Sequence, residues 1–169
     1  MSDNQDRKAA RSSGDFEERW RGADPTERRY MLEDAGRRLM DEYEAPPPPI
    51  YPERFADDRL MGQYSDENFR IDLNEHSLEN NDPHDAVDTY LHEYRHAWQN
   101  YEVQKSHGAL AHETDQAEVR AMESSLHEYV DPSVDEVRYR EQLAERDARD
   151  FASEHSIEVL AAEQRENRE

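Results

Sequence analysis

Apolar residues recur every three or four positions in four stretches of the chain, a spacing that places them on one face of an α-helix. The first stretch begins at Asp24 and Pro25, an N-capping aspartate and a proline in the first helical position, with Glu27 placed to complete a capping box. Its apolar stripe consists of Met31, Ala35, Leu39 and Tyr43. The pattern predicts an amphipathic helix that ends before the proline-rich segment 46–52, which we expect to be an extended connector.

Three further helices are predicted in the second half of the chain. One begins at Asp82 and Pro83, a second carries its apolar stripe within residues 110–126, and a long third one runs from Asp131 to about residue 162. The stripe of the long helix consists of Val137, Ala144, Ala148, Phe151 and His155.

Alternation of apolar and polar residues occurs in the segment FRIDL, residues 69–73. Phe69, Ile71 and Leu73 alternate with two charged residues, which is typical of a strand with one buried face. The polar sequence SDEN before it is typical of a turn, so residues 60–64 are predicted to be the hairpin partner. The predicted fold class is α+β, mostly helical, with one small sheet.

The composition limits the size of the core, because 34% of the 169 residues are hydrophobic and 37% are charged. This length suits one domain, predicted at 23–165 between a disordered N-terminal tail at 1–22 and a frayed end at 166–169. No apolar run is long enough to span a membrane, and the N-terminus lacks the apolar stretch of a signal peptide. The expected location is the cytoplasm, or the exterior by a route without a cleavable signal peptide.

The net charge of −21 argues against binding to nucleic acid, because contacts with phosphates need a basic surface. An acidic surface serves solubility or attracts a basic partner. Charge alone would also fit an acidic protein that mimics nucleic acid and occupies basic proteins. The chain has no cysteine, so any metal must be held by histidines and carboxylates.

The sequence HEYRH, residues 92–96, falls within the helix predicted to begin at Asp82. Side chains four residues apart are neighbours on a helix, so His92 and His96 can bind one metal ion. At about 100° per residue, the two histidines lie within about 40° of each other. The main apolar face lies on the opposite side and consists of Val87, Leu91, Tyr94, Trp98 and Tyr101. We therefore expect the histidines to face a cleft or solvent.

The segment HEYRHAWQ on a helix, after the short strand FRIDL, resembles the zincin metallopeptidases over about residues 60–155. It is similar to compact bacterial and phage zincins and to zincin-like domains of bacterial toxins. The resemblance implies a minimal zincin fold, in which the sheet packs beside the active-site helix and a strand at 69–73 aligns the substrate by backbone pairing. It also implies one Zn²⁺ per chain, bound by His92 and His96. Glu93 would take a proton from the attacking water and pass it to the leaving amine.

The resemblance leaves the third zinc ligand open among several acids. Gluzincins often supply it from Glu-x-x-Ala on a later helix, and Glu145 in LAERDARDFA fits this pattern. Glu118 in QAEVRAM also has alanine three residues later, and Asp147 and Glu113 are further alternatives. Asp147 is otherwise placed to brace a ligand histidine.

The activity implied is hydrolysis of a peptide bond in a protein or peptide substrate. Tyr139 or His112 would stabilise the negative oxygen that develops on the carbonyl. The setting would be a toxin or effector domain, with an inhibitor or immunity protein as a further partner, or an intracellular regulatory peptidase. Neither nucleic acid nor a membrane is an expected partner. The alternative is a zincin fold that binds a partner without cleaving it, against which the intact Glu93 argues.

Overall fold

The computed structural model describes residues 16–108 and 115–161. The helices within these ranges are α1 (16–22), α2 (Pro25–Tyr43), α3 (Glu75–Glu79), α4 (His84–Ser106), α5 (Gln116–His127), α6 (Glu136–Glu141) and α7 (Leu143–Ala161). The strands are β1 (Ile50–Glu53), β2 (Gly62–Ser65) and β3 (Arg70–Asn74). The predicted class, α+β and mostly helical, is confirmed. None of the described helices has the length and apolarity needed to cross a bilayer.

Helix α2 begins where the sequence predicts. The side chain of Asp24 accepts the backbone N–H of Glu27 at 2.9 Å, and the carboxylate of Glu27 accepts the N–H of Asp24 at 2.8 Å. These reciprocal bonds are a capping box, which satisfies two N–H groups that the helix itself leaves unpaired. The inner face of α2 is buried through Leu32, Ala35 and Leu39.

Strand β3 lies at the centre of the sheet, with β2 antiparallel on one side and β1 parallel on the other. The pairing of β2 with β3 confirms the predicted hairpin. Ile71 and Leu73 face the core and are 0% exposed. Phe69 does not continue this pattern, because it lies in the turn before β3 in a left-handed conformation (φ 47°) and is 42% exposed. Its predicted place in the strand is therefore wrong.

The proline-rich segment 46–52 is more than a connector. Residues Ile50–Glu53 form β1 and pair with β3, beginning with Ile50 opposite Ile71. Pro52 has no N–H to donate, but β1 is an edge strand, where proline is tolerated. The N–H of Ile50 donates to the carboxylate of Glu33 on α2 at 3.1 Å, which joins the sheet to that helix.

Residues 16–22, predicted to be part of a disordered tail, form helix α1. Phe16 and Trp20 are 2% and 0% exposed and belong to the hydrophobic core. The indole N–H of Trp20 donates to the carbonyl of Asn80 at 2.8 Å, so α1 is fixed to the segment that precedes α4. The prediction is wrong for these residues, because two large aromatic side chains four residues apart bury enough surface to order the segment.

Three further predictions fall on residues that the structure does not describe. They are the rest of the N-terminal tail at 1–15, residues 110–114 of the helix predicted at 110–126, and the frayed end at 166–169. The described part of that helix is α5, whose first turn is capped by Asp115.

The single long helix predicted from Asp131 onward is two helices, α6 and α7. Its predicted start is also wrong, because α6 begins at Glu136 and is capped by Asp135. The two helices are separated at Gln142, whose backbone is extended (φ −58°, ψ 139°). Its side chain accepts the N–H of Val130 at 3.0 Å and donates to the carbonyl of the same residue at 3.1 Å. Val137, predicted to lie on the buried stripe, is 65% exposed on α6. The break places Glu145 in the first turn of α7.

Helix α4 occupies the centre of the molecule and contacts α2, α3, α5, α7, β2 and β3. It begins at His84, one residue later than predicted, with Pro83 as its N-cap and the N–H of His84 bound to Asp82 Oδ1 at 3.0 Å. Its buried residues surround the helix: Ala86, Val87, Tyr90, Leu91, Glu93, Tyr94, Ala97 and Gln99. The expectation that the histidines face a cleft or solvent is wrong in part, because α7 covers their side of the helix and their side chains are only 18% and 13% exposed.

Gly36 on α2 lies against the side chain of Tyr90 on α4. A Cβ added there would lie 1.8 Å from the hydroxyl oxygen of Tyr90 and 2.9 Å from the Cβ of Pro47. Tyr90 is 0% exposed and belongs to the hydrophobic core. We expect Gly36→Ala to lower the free energy of unfolding by about 1–3 kcal/mol, the usual cost of overpacking, as measured by urea denaturation.

Gly22→Ala is the matched control, because a Cβ added at Gly22 meets nothing within 4 Å. Alanine generally favours a helix over glycine by about 1 kcal/mol, so this variant should be as stable as the wild type or more stable. A Gly36→Ala protein with undiminished stability would contradict the close approach of α2 to Tyr90.

Candidate metal centre

Three side chains from two helices converge beside α4. The Nε2 atoms of His92 and His96 are 3.1 Å apart. The carboxylate of Glu145, from α7, places Oε2 at 3.2 Å from His92 Nε2 and Oε1 at 3.4 Å from His96 Nε2. Ligand atoms of the three residues all lie within 4.8 Å of one another, a spacing that suits a shared metal ion.

The donor set fits zinc. Glu145 is 3% exposed, and its Oε2 is buried without a hydrogen-bond partner in the described part of the chain. A buried and unpaired carboxylate oxygen costs free energy unless a cation compensates it. Two imidazole nitrogens and one carboxylate are ligands that catalytic zinc uses, and they leave a fourth position open.

The electrostatics of the three residues favour a positive charge between them. Burial alone would raise the pKa of Glu145, but the adjacent imidazoles of His92 and His96 hold that pKa well below its usual range. Burial alone would lower the pKa of His96, but Glu145 and the charge of Glu93 raise it to about 9. The group therefore stabilises a cation at this position, whether a proton or a metal ion.

The carboxylate of Glu93 lies between α4 and β2. Its Oε2 accepts the backbone N–H of Tyr64 at 2.7 Å, and the residue is 8% exposed. The close approach of β2 requires a glycine, because a Cβ at Gly62 would lie 2.7 Å from Thr89 Cγ2 and 3.3 Å from Glu93 Cγ. One carboxylate oxygen of Glu93 is thus fixed by the backbone of β2.

The strand against the histidine helix at this point is β2, and not the strand at 69–73. Strand β3 is paired on both sides and exposes no edge to α4. The N–H of Tyr64, on the outer edge of β2, is already bound to Glu93. The predicted substrate-aligning strand at 69–73 is therefore wrong, because the parallel pairing with β1 places β3 in the middle of the sheet.

A chain of hydrogen bonds extends from His96 away from the three converging residues. His96 Nδ1 lies 2.8 Å from Gln99 Oε1, and Gln99 Nε2 donates to Asp147 Oδ2 at 2.8 Å and to the carbonyl of Ala144 at 2.9 Å. Arg95 donates from Nε and Nη2 to the two oxygens of Asp147 at 2.7 and 3.0 Å. Burial opposes ionisation of Asp147, but these hydrogen bonds lower its pKa below the usual value.

The other candidate acids that the structure describes are not beside the histidines. Glu118 is exposed in the first turn of α5 and does not belong to the converging group. Asp147 pairs with Arg95 and reaches His96 only through Gln99. Glu113, and also His112, lie outside the described residues. The structure thus brings Glu145 to the histidines, and its role as a zinc ligand stays a prediction.

Two tyrosines lie close to Glu145. The rings of Tyr129 and Tyr139 meet edge to face, with centroids 5.9 Å apart and an interplanar angle of 82°. Burial and the charge of Glu145 raise the pKa of Tyr129 to about 12 and that of Tyr139 further. Tyr139, the predicted oxyanion stabiliser, is therefore near the site, and so is Tyr129, which no sequence motif indicated.

Comparison of the chain with protein-family models, with curated proteins and with solved structures gives no match. A small α+β class is shared by many unrelated proteins and assigns no activity by itself. Any assignment of function therefore depends on the residues around His92 and His96.

Proposed function

We propose that this protein is a zinc-dependent metallopeptidase that hydrolyses a peptide bond in a protein or peptide substrate. The observation that carries the proposal is the convergence of His92, His96 and Glu145 in one group. The carboxylate of Glu93 lies near enough for its charge to act on His96. Two imidazoles, one ligand carboxylate and one separate carboxylate are the groups that this chemistry requires.

Each of these residues would have a distinct role. Zinc bound by His92, His96 and Glu145 would lower the pKa of a water molecule and polarise the scissile carbonyl. The bond from Tyr64 N–H orients the carboxylate of Glu93 through one oxygen. The second oxygen would accept a proton from the attacking water and deliver it to the leaving amine.

Tyr139 is our candidate for the group that stabilises the developing negative oxygen. The ordinary pKa of tyrosine, about 10, already keeps both hydroxyls protonated at neutral pH, and burial raises the pKa of Tyr139 and Tyr129 further, so both can donate hydrogen bonds. The charge of −21 favours association with a basic substrate. The setting would be a toxin or effector domain with a matching inhibitor or immunity protein, or a regulatory peptidase.

Hydrolysis should depend on zinc. We expect the zinc-loaded protein to cleave members of a panel of unfolded basic and acidic polypeptides, with new termini identified by mass spectrometry. A chelator should abolish the cleavage, because the carbonyl loses its polarising cation, and added zinc should restore it.

Two results would count against the proposal. Cleavage that persists after the metal has been removed would contradict a metal mechanism. Zinc-loaded protein that cleaves no member of the panel would favour the alternative of a non-catalytic partner-binding protein.

A further inference from the structure

The amide of Gln99 has a fixed orientation in the core. Gln99 is 0% exposed, and its Nε2 faces two groups that can only accept, the carbonyl of Ala144 at 2.9 Å and the carboxylate of Asp147 at 2.8 Å. An exchanged amide would direct its oxygen at two acceptor oxygens, which repel it, and both hydrogen bonds from Nε2 would be lost. The oxygen Oε1 must therefore be the atom that faces His96 Nδ1 at 2.8 Å.

This orientation selects one tautomer of His96. Because Gln99 Oε1 can only accept, the proton of the bond must reside on His96 Nδ1. In neutral His96 the lone pair then lies on Nε2, the atom that faces His92 and Glu145. That is the form of imidazole a metal ion requires.

Gln99 is held in turn by residues that join α4 to α7. Asp147 lies two residues after Glu145 and binds both Gln99 and Arg95. The guanidinium of Arg95 is itself confined, with its carbon 3.7 Å from the ring centroid of Trp98 and 4.9 Å from that of Phe151. The same contacts that orient His96 on α4 thus fix the position of Glu145 on α7.

We propose that three residues position His96 and Glu145 for metal binding and set the affinity of the site: Arg95, Gln99 and Asp147. We call these three residues the Gln99 brace. The proposal rests on the proposed function only in taking zinc as the ion. The brace touches no substrate, and its residues act through His96 and through the register of α7 against α4.

The brace has a purely structural alternative, which makes a different prediction. If Gln99 only fills space and joins two helices, its loss lowers the stability of the fold and leaves the zinc affinity of the folded protein unchanged. If it positions His96, zinc affinity falls in protein that is still folded, and the visible spectrum of the cobalt-substituted protein changes as well.

Gln99→Leu tests this difference, because leucine retains the size of the side chain and removes the acceptor for His96. We expect zinc affinity, measured by competition with a chelator below the melting temperature, to fall about 10- to 100-fold, as for other residues that orient metal ligands. Gln104→Leu is the matched control, since it makes the same substitution at an exposed position of α4, and its affinity should equal that of the wild type.

Asp147→Asn provides a second variant that preserves shape in case Gln99→Leu does not fold. We expect about a 10-fold loss of zinc affinity, with the exposed Asp150→Asn as its control. If Asp147 acts through Gln99, Asp147→Asn should lower zinc affinity less in a protein that already carries Gln99→Leu than in the wild type. Losses of zinc affinity that add up in the double variant would show that Asp147 does not act through Gln99.

The outcomes separate this inference from the proposed function. Wild-type protein that binds no zinc would overturn both. Wild-type protein that binds zinc while folded Gln99→Leu and Asp147→Asn bind it equally well would overturn the positioning role alone.

Discussion

Replacing Glu93 with glutamine is expected to leave zinc bound and to slow hydrolysis by about 10²- to 10⁴-fold, the usual contribution of a general acid–base group. Glutamine can still accept the N–H of Tyr64 through its amide oxygen, so the contact between α4 and β2 should survive. It cannot take a proton from water, which removes the proposed first step. Zinc per chain and the rate of cleavage are the two measurements.

Glu118→Gln is the control for this variant, because it removes the same charge from an exposed position of α5. It should retain both zinc and activity. Cleavage by Glu93→Gln at the wild-type rate would exclude Glu93 as the base. Loss of zinc together with activity would show that Glu93 holds the metal or the fold.

Glu145→Gln is expected to weaken zinc binding by more than about 100-fold, beyond the usual cost of losing an outer partner of a ligand. The carboxylate of Glu145 is the one anionic donor in the converging group, and a neutral amide is a weaker ligand for zinc. His92→Ala should have an effect of the same order, because it removes one of the two imidazoles. Competition with a chelator gives the affinity of each variant.

The same Glu118→Gln protein serves as the control here, since Glu118 was the other acid with alanine three residues later. Its zinc affinity should equal that of the wild type. Weakened binding in Glu118→Gln, with undiminished binding in Glu145→Gln, would reverse the choice of third ligand.

Features that depend on neighbouring residues were predictable from the sequence. The capping box of Asp24 and Glu27 spans one helical turn, and Asp82 and Pro83 predict the start of α4 to within one residue. The pairing of His92 with His96 depends only on the geometry of a helix. These elements need no knowledge of what packs against them.

Features that depend on distant contacts were not predictable. Strand β1 exists because Ile50 pairs with a strand some twenty residues later, and α1 because Trp20 binds Asn80. The break between α6 and α7 depends on Gln142, whose side chain bonds to Val130, 12 residues earlier, on the other side of α6. Local propensity favours an uninterrupted helix there, and tertiary hydrogen bonds override it.

The third ligand could not be chosen from the sequence either, because the choice between the candidate acids also depends on distant contacts. Glu118 and Glu145 share the same local pattern, and only the packing of α7 over the histidine side of α4 separates them. Gln99 did carry a local signal, because it follows His96 by three residues and so lies on the same side of the helix. Its importance depends on Asp147, which only the packing of α7 brings within reach.

The zinc content of purified wild-type protein, measured after loading with zinc and removal of the excess, tests the metal centre most directly. We expect about one zinc ion per chain, held by His92, His96 and Glu145. Folded wild-type protein that retains no zinc after loading would contradict the metal centre and the peptidase activity proposed from it.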